Sequence, residues 1–265
     1  MKFIFIIPLL LLTSVVLSQE SSKKLNEIFE EIEAYNGTVD PQDSLWNGIH
    51  VQGPFSRINE AYYNTKKLVF EQFIARLNEI PDQRLSAQEA ISKQLMRYSL
   101  QNSVSQVAYK MYLIPLNAEG GFYGRISGAL GRLSFNSKKD FEDYLNWLPY
   151  YARWMKDHLL LMQNGIIEGI VAPKTVIENN ISLLKPWLAT SFDRSVFYKP
   201  IASMPESIDP KAAATIRRQA EQVINKELIP AYENLHKFLQ SVYLNASPEM
   251  PGIMHLPGGK QYYEN

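Results

Sequence analysis

The sequence contains no cysteine. That excludes disulfide staples, thiolate nucleophiles, thiolate metal sites and a lipid-modified cysteine at a processing site. A fold without cross-links must hold by packing, which 265 residues of 46% hydrophobic content allow. An excess of one charge is lacking too, since 27 basic and 27 acidic side chains give a formal net charge of zero. No electrostatic footprint for nucleic acid or for an anionic membrane is present, so no nucleic-acid partner is expected. Alternating polar and apolar runs of strand length are missing, as is any repeat of 20–50 residues.

Long apolar runs are absent beyond the N-terminus. Met1-Lys2 gives a short basic start, Phe3 to Leu17 is almost wholly apolar, and Val16-Leu17-Ser18 offers permissive cleavage positions before Gln19. Residues 1–18 therefore read as a secretory signal peptide, shorter than the roughly 20 apolar residues of a bilayer span. The expectation is an exported protein, periplasmic or extracellular, with no stable membrane span after cleavage and a helical domain over 19–265. Asn-x-Ser/Thr sequons at Asn36, Asn180 and Asn245 add nothing about the host.

What the chain does have is helical spacing. Asp209-Pro210 supplies an N-cap and a proline at the first helical position. Apolar residues then recur from Ala213 through Ile216, Ala220, Ile224, Leu228, Tyr232, Leu235, Leu239 and Val242, with charge mostly on the other face. One long helix over Asp209–Asn245 follows, kinked or divided at Pro230. Earlier helices are expected through Leu25–Tyr35 ending at Asn36-Gly37, from Ser56 to Ile80, and from a capping box at Ser86-Ala-Gln-Glu89 with Ile91, Leu95 and Tyr98 on one face. Two more follow, one restarting at Asn136-Ser137-Lys-Lys-Asp140 and closing at Asn164-Gly165 with a kink at Pro149, the other opening at Ala172-Pro173 and running through Leu184 before Pro186. Irregular chain is expected over 197–208 and 247–265. The fold class is all-α, a multi-helix array with one long kinked helix.

Its middle is a glycine-rich irregular loop. Between Tyr109 and Phe135 lie Gly120, Gly121, Gly124, Gly128 and Gly131, five of the thirteen glycines. Such spacing means backbone freedom or close approach. The loop reads equally as a connector or as a candidate cleft loop, with Asn117, Gly120, Gly121 and Gly124 as its residues.

A search for chemistry gives little. The four histidines, His50, His158, His236 and His255, form no H-E-x-x-H pair. Glu233-x-x-His236 is half of a bundle di-metal motif without its second copy, and a solvated helix face explains it better. Gly124-Arg-Ile-Ser127-Gly128 has its serine one place too late for a nucleophile elbow. No catalytic, cofactor-binding or metal residue is assigned.

Several stretches in order carry a resemblance: Tyr112-Leu-Ile-Pro-Leu-Asn117-Ala-Glu-Gly-Gly121, Lys139-Asp-Phe-Glu-Asp-Tyr-Leu145, Gly165-Ile-Ile-Glu-Gly-Ile-Val-Ala-Pro173, Phe197-Tyr-Lys-Pro200, Ile229-Pro-Ala-Tyr232 and Leu256-Pro-Gly-Gly-Lys-Gln-Tyr-Tyr263. Together they resemble the first half of domain-of-unknown-function family 885 (DUF885), a group of largely exported bacterial proteins similar to helical zinc metallopeptidases. The resemblance implies a downstream His-Glu…Pro-Gly-His-His motif, absent here, that holds zinc in the complete protein. It implies a peptide substrate for that protein, and a C-terminal half packing against this one. No catalytic residue transfers to these positions. The alternative is a non-enzymatic secreted helical binding or scaffold protein.

Overall fold

The computed structural model describes residues 6–39, 41–51, 54–188, 191–250 and 252–264. The start of the expected signal peptide, residues 1–5, lies outside these. Helix α1 (Ile6–Val39) runs through the expected cleavage junction and past Asn36-Gly37, where an end was expected. Among the described residues no helix is long and apolar enough to cross a membrane. Among the described residues the chain is all-α apart from one two-stranded hairpin, and it divides into two compact units.

The first unit holds α1 up to Thr38, most of α3 (Glu60–Asn78) and α4 (Ala87–Ala108). Its core is built from Leu25, Ile28 and Ile32 of α1, Phe70, Phe73 and Leu77 of α3, and Leu100 of α4. Helix α3 starts later than Ser56 because Asn59 caps it, its Oδ1 accepting from the Tyr62 amide at 2.9 Å. The Ser86/Glu89 box forms as expected, with the Ser86 amide donating to Glu89 at 2.8 Å and the Glu89 amide to Ser86 Oγ at 3.3 Å. Ile91, Leu95 and Tyr98 do share a face, but it is the outer one, 52%, 64% and 71% exposed. Lys93 takes the inner face instead: its buried amine donates to the Ile80 carbonyl at 2.6 Å and pairs with Asp82. A lysine that satisfies the carbonyl end of α3 reads as polar in sequence, which hides the true core face.

The second unit comprises residues 39–62 and 109–265. After α2 (Pro41–Trp46) come the strands β1 (Leu116–Asn117) and β2 (Gly120–Gly121), then α5 (Arg125–Leu130), so the glycine stretch is less irregular than expected. Helix α6 (Lys138–Glu168) is its axis. Ser137 and Asp140 cap each other, and the helix continues through Pro149 and past Asn164-Gly165 to a left-handed Gly169 at φ 72°. Gly165 is not a terminator but a contact point. A Cβ there would stand 2.6 Å from the Ile170 carbonyl oxygen and 3.2 Å from that of Leu113. Gly165→Ala is therefore expected to cost about 2 kcal/mol through overpacking, measured as a shift in urea midpoint. A loss below about 0.5 kcal/mol would show that the two segments yield freely.

Helix α7 (Lys174–Leu184) and the short α8 (Lys199–Ala202) precede the long helix, and α12 (Gly259–Glu264) adds a turn of helix to a tail expected to be irregular. The long helix itself runs from Pro210 without a break to Ala246, as α9 (Pro210–Val223), a π-turn segment (Ile224–Leu228), α10 (Ile229–Phe238), a second π-turn segment (Leu239–Tyr243) and α11 (Leu244–Ala246). Asp209 caps it, accepting from the Lys211 and Ala212 amides at 3.0 Å each. Pro230 does not divide the helix. Its ring has no N–H for the carbonyl four residues back, and the widened turn before it absorbs that misfit. Each π turn also slips the register by a residue. Tyr243 is consequently buried where Val242 was expected, and Val242 is 48% exposed.

Candidate functional site

Asn117, Gly120, Gly121 and Gly124 come together at the β1–β2 hairpin, where Leu116 pairs with Gly121 and Asn117 with Gly120. A Cβ on Gly121 would sit 2.3 Å from Leu116 Cδ2 and 2.9 Å from the Pro115 oxygen, so close approach explains that glycine. Asn180 of α7, fully buried, anchors the hairpin. Its Nδ2 donates to the carbonyls of Asn117 and Val176 at 2.8 Å each, and its Oδ1 accepts from Tyr123 Oη at 2.9 Å. This burial removes the Asn180 sequon as an accessible modification site.

The hairpin leads into a knot of buried tyrosines. The Tyr123 carbonyl accepts from Tyr232 Oη at 2.8 Å and from Tyr151 Oη at 3.2 Å, and those two hydroxyls lie 3.1 Å apart. Burial pushes the Tyr123 hydroxyl up to about 12 and that of Tyr232 well above the ordinary phenol range. Both stay protonated and serve as donors, not as bases. The hairpin thus ties α6, α7 and α10 together, a structural task.

A cleft lies between α6 and the long helix. Ala152, Arg153, Met155, Lys156, Leu159 and Gln163 of α6 face Lys226, Glu227, Pro230, Ala231, Asn234, Lys237, Phe238, Ser241 and Val242 of the long helix, around about 690 Å³. A second cleft of about 740 Å³ shares Lys226 and Glu227 and continues along Lys139–Pro149 and Gln219–Val223. The two helices run parallel, and residues 219–242 extend the groove over about 35 Å at 1.5 Å per residue. Neither cleft is lined by Asn117, Gly120, Gly121 or Gly124.

The 690 Å³ cleft carries four cations, Arg153, Lys156, Lys226 and Lys237, against the single anion Glu227. Arg153 is half-buried. One of its terminal nitrogens donates to the Phe55 carbonyl, its guanidinium lies 5.2 Å from the Tyr150 ring centre, and its Nε has no hydrogen-bond partner among the described residues. The sequence placed Lys226 and Lys237 on a solvated face and so missed the cleft. Their spacing of eleven residues, three helical turns, was the available signal.

The histidines are apart from one another in role. His158 is buried in α6, stacked on Phe122 at 4.1 Å and touching Trp154 at 4.0 Å, which holds its pKa down at about 4 by desolvation. Glu233 is exposed on α10, while His236 Nε2 is buried without a hydrogen-bond partner among the described residues. Among the described residues no three His, Asp or Glu side chains converge.

The family model described as "Bacterial protein of unknown function (DUF885)" matches residues 41–265. Among solved structures, one described as "the putative lipoprotein from Colwellia psychrerythraea" superposes with a TM-score of 0.74 at 12% identity. The alignment covers 92% of this chain but 45% of that one, so the chain spans less than half of its relative's length. At such identity the likeness is one of fold. No curated protein matches the chain.

Proposed function

Because the chain belongs to the DUF885 family, we propose that it is the helical, non-catalytic N-terminal half of a longer exported protein that hydrolyses peptides with zinc. The observation that supports this reading most is the coverage: nearly the whole chain follows the relative's fold, yet it accounts for 45% of that protein. Zinc in the complete protein would supply a Lewis acid and an activated water. This half supplies no ligand for it. Its contribution is a rigid helical wall against which the companion half and a peptide would lie. The N-terminal 1–18 stretch supports export, and N-terminal sequencing of the secreted protein should begin at Gln19.

The test is to compare the complete reading frame with the 265-residue chain for zinc content and for release of amines from a peptide mixture. The complete protein is expected to bind zinc stoichiometrically and to turn peptides over, and this chain to do neither. A complete product without zinc and without turnover would sink the reading. One observation favours the alternative, a secreted non-enzymatic binding protein: the cationic cleft is formed within this unit and needs no catalytic group.

A further inference from the structure

We infer that the cleft between α6 and the long helix binds an acidic amphipathic helix of a partner polypeptide. Its floor is apolar, from Met155, Leu159, Ala231 and Phe238, and the half-exposed Val242 extends it. Cations stand on both banks, Arg153 and Lys156 on one, Lys226 and Lys237 on the other. Elsewhere in the same unit Lys110, Lys138, Lys139, Lys174 and Lys260 each meet a carboxylate. Among the described residues no ion pair engages Lys156, Lys226 or Lys237, and what sets them apart from other unpaired lysines of the unit, such as Lys185, Lys199 and Lys211, is that they gather around one apolar-floored cleft.

Spacing decides what that is. Lys226 and Lys237 are separated by eleven residues, about 16 Å along the axis. A single carboxylate or phosphate headgroup cannot meet both, whereas a helix bearing acidic residues three turns apart can. Two helices lying side by side offer a groove into which the ridge of a third packs, with its apolar stripe down and its acidic flanks against the banks. The two π-turn segments mark the ends of the cleft: Lys226 and Glu227 belong to the first, Ser241 and Val242 to the second. Widened turns of this kind recur at functional sites. They also rotate Val242 out of the core and into the cleft, which is how the floor is completed.

The experiment titrates the whole 265-residue chain into a fluorescein-labelled amphipathic peptide of about eighteen residues, with glutamates flanking a leucine stripe, and follows anisotropy. Two control peptides carry lysine in place of glutamate, or the same residues scrambled. The glutamate peptide is expected to bind, more weakly as salt rises, and the lysine and scrambled peptides to bind at least about tenfold less well. The double variant Lys156→Glu, Lys237→Glu should lose about tenfold for the glutamate peptide and gain for the lysine peptide. Lys174→Glu, away from the cleft, should leave binding unchanged. If the double variant fails to fold by circular dichroism, the single Lys237→Ser variant takes its place, with a smaller loss expected. No binding of the glutamate peptide, equal binding of both charge types, or competition by anionic phosphatidylglycerol vesicles as strong as by the peptide would each overturn the proposal.

Discussion

Replacing Tyr232 with alanine is expected to lower the stability of the second unit by about 4 kcal/mol, the range for removing a fully buried aromatic side chain. Tyr232 is 1% exposed. Its ring stacks on Trp187 at 5.2 Å and 3°, and tilts against Phe197 at 5.9 Å. Its hydroxyl joins Tyr151 in satisfying the Tyr123 carbonyl. Alanine removes the ring, leaves a cavity and frees Tyr151 Oη of its neighbour. Phenylalanine removes only the oxygen. Since Tyr151 still donates to the Tyr123 carbonyl, Tyr232→Phe should cost about 1 kcal/mol. Urea unfolding followed by tryptophan fluorescence reads this unit alone, because Trp46, Trp147, Trp154 and Trp187 all belong to it. A loss below about 1 kcal/mol for the alanine variant would mean that α10 repacks freely, and the account of the tyrosine knot would fail.

The knot also shows what pattern reading reaches. Tyr232 stands in the apolar stripe of the long helix, so its burial was legible from spacing. Its partners were not: Tyr123 comes from the glycine stretch and is 109 residues away. Long-range pairing of hydroxyl and carbonyl leaves no local mark. Caps, by contrast, are local chemistry, and Asp209 and Ser86 each act where the sequence put them. Helix ends marked by glycine misled twice. Asn36-Gly37 and Asn164-Gly165 both lie inside helices, the second because Gly165 admits a backbone neighbour. A glycine chosen for close approach and one chosen for positive φ look the same in a sequence. The π turns were equally hidden, and with them the register slip that exposes Val242. With Lys226 and Lys237 on what reads as a solvated face, the cleft beside α6 left no mark in the pattern, whereas Asn117, Gly120, Gly121 and Gly124, which read as a candidate cleft loop, form a hairpin anchored by Asn180. The all-α class survived these local misses because it rests on periodicity summed over long segments.

The second large effect is a pH dependence set by His158. Its ring, 5% exposed, is held between Phe122 and Trp154. Desolvation lowers its pKa from 6.5 to about 4, and the Trp154 carbonyl and the neighbouring Asp157 offset that only in part. The sign follows from which form the fold favours. The native state holds the neutral ring, whereas the unfolded chain takes up a proton near pH 6.5, so unfolding is favoured as pH falls. The stability is fully present above about 6.5 and is lost progressively down to about 4, where the native ring protonates as well. At 1.36 kcal/mol per pH unit, the gap between 6.5 and about 4 amounts to about 3 kcal/mol. His158→Phe keeps an aromatic ring against Phe122 and removes the titration. The difference in stability between the native protein and this variant, from urea midpoints at pH 7 and pH 4, should therefore change by about 3 kcal/mol in the variant's favour. Carboxylates held below their usual range, Asp140 and Asp193 in this unit, weaken the fold in acid too, but they are common to both proteins and cancel in the difference. A difference that stays flat between pH 7 and pH 4 would show that water reaches the His158 ring, and that the aromatic layer between α6 and Phe122 opens more readily than its packing implies.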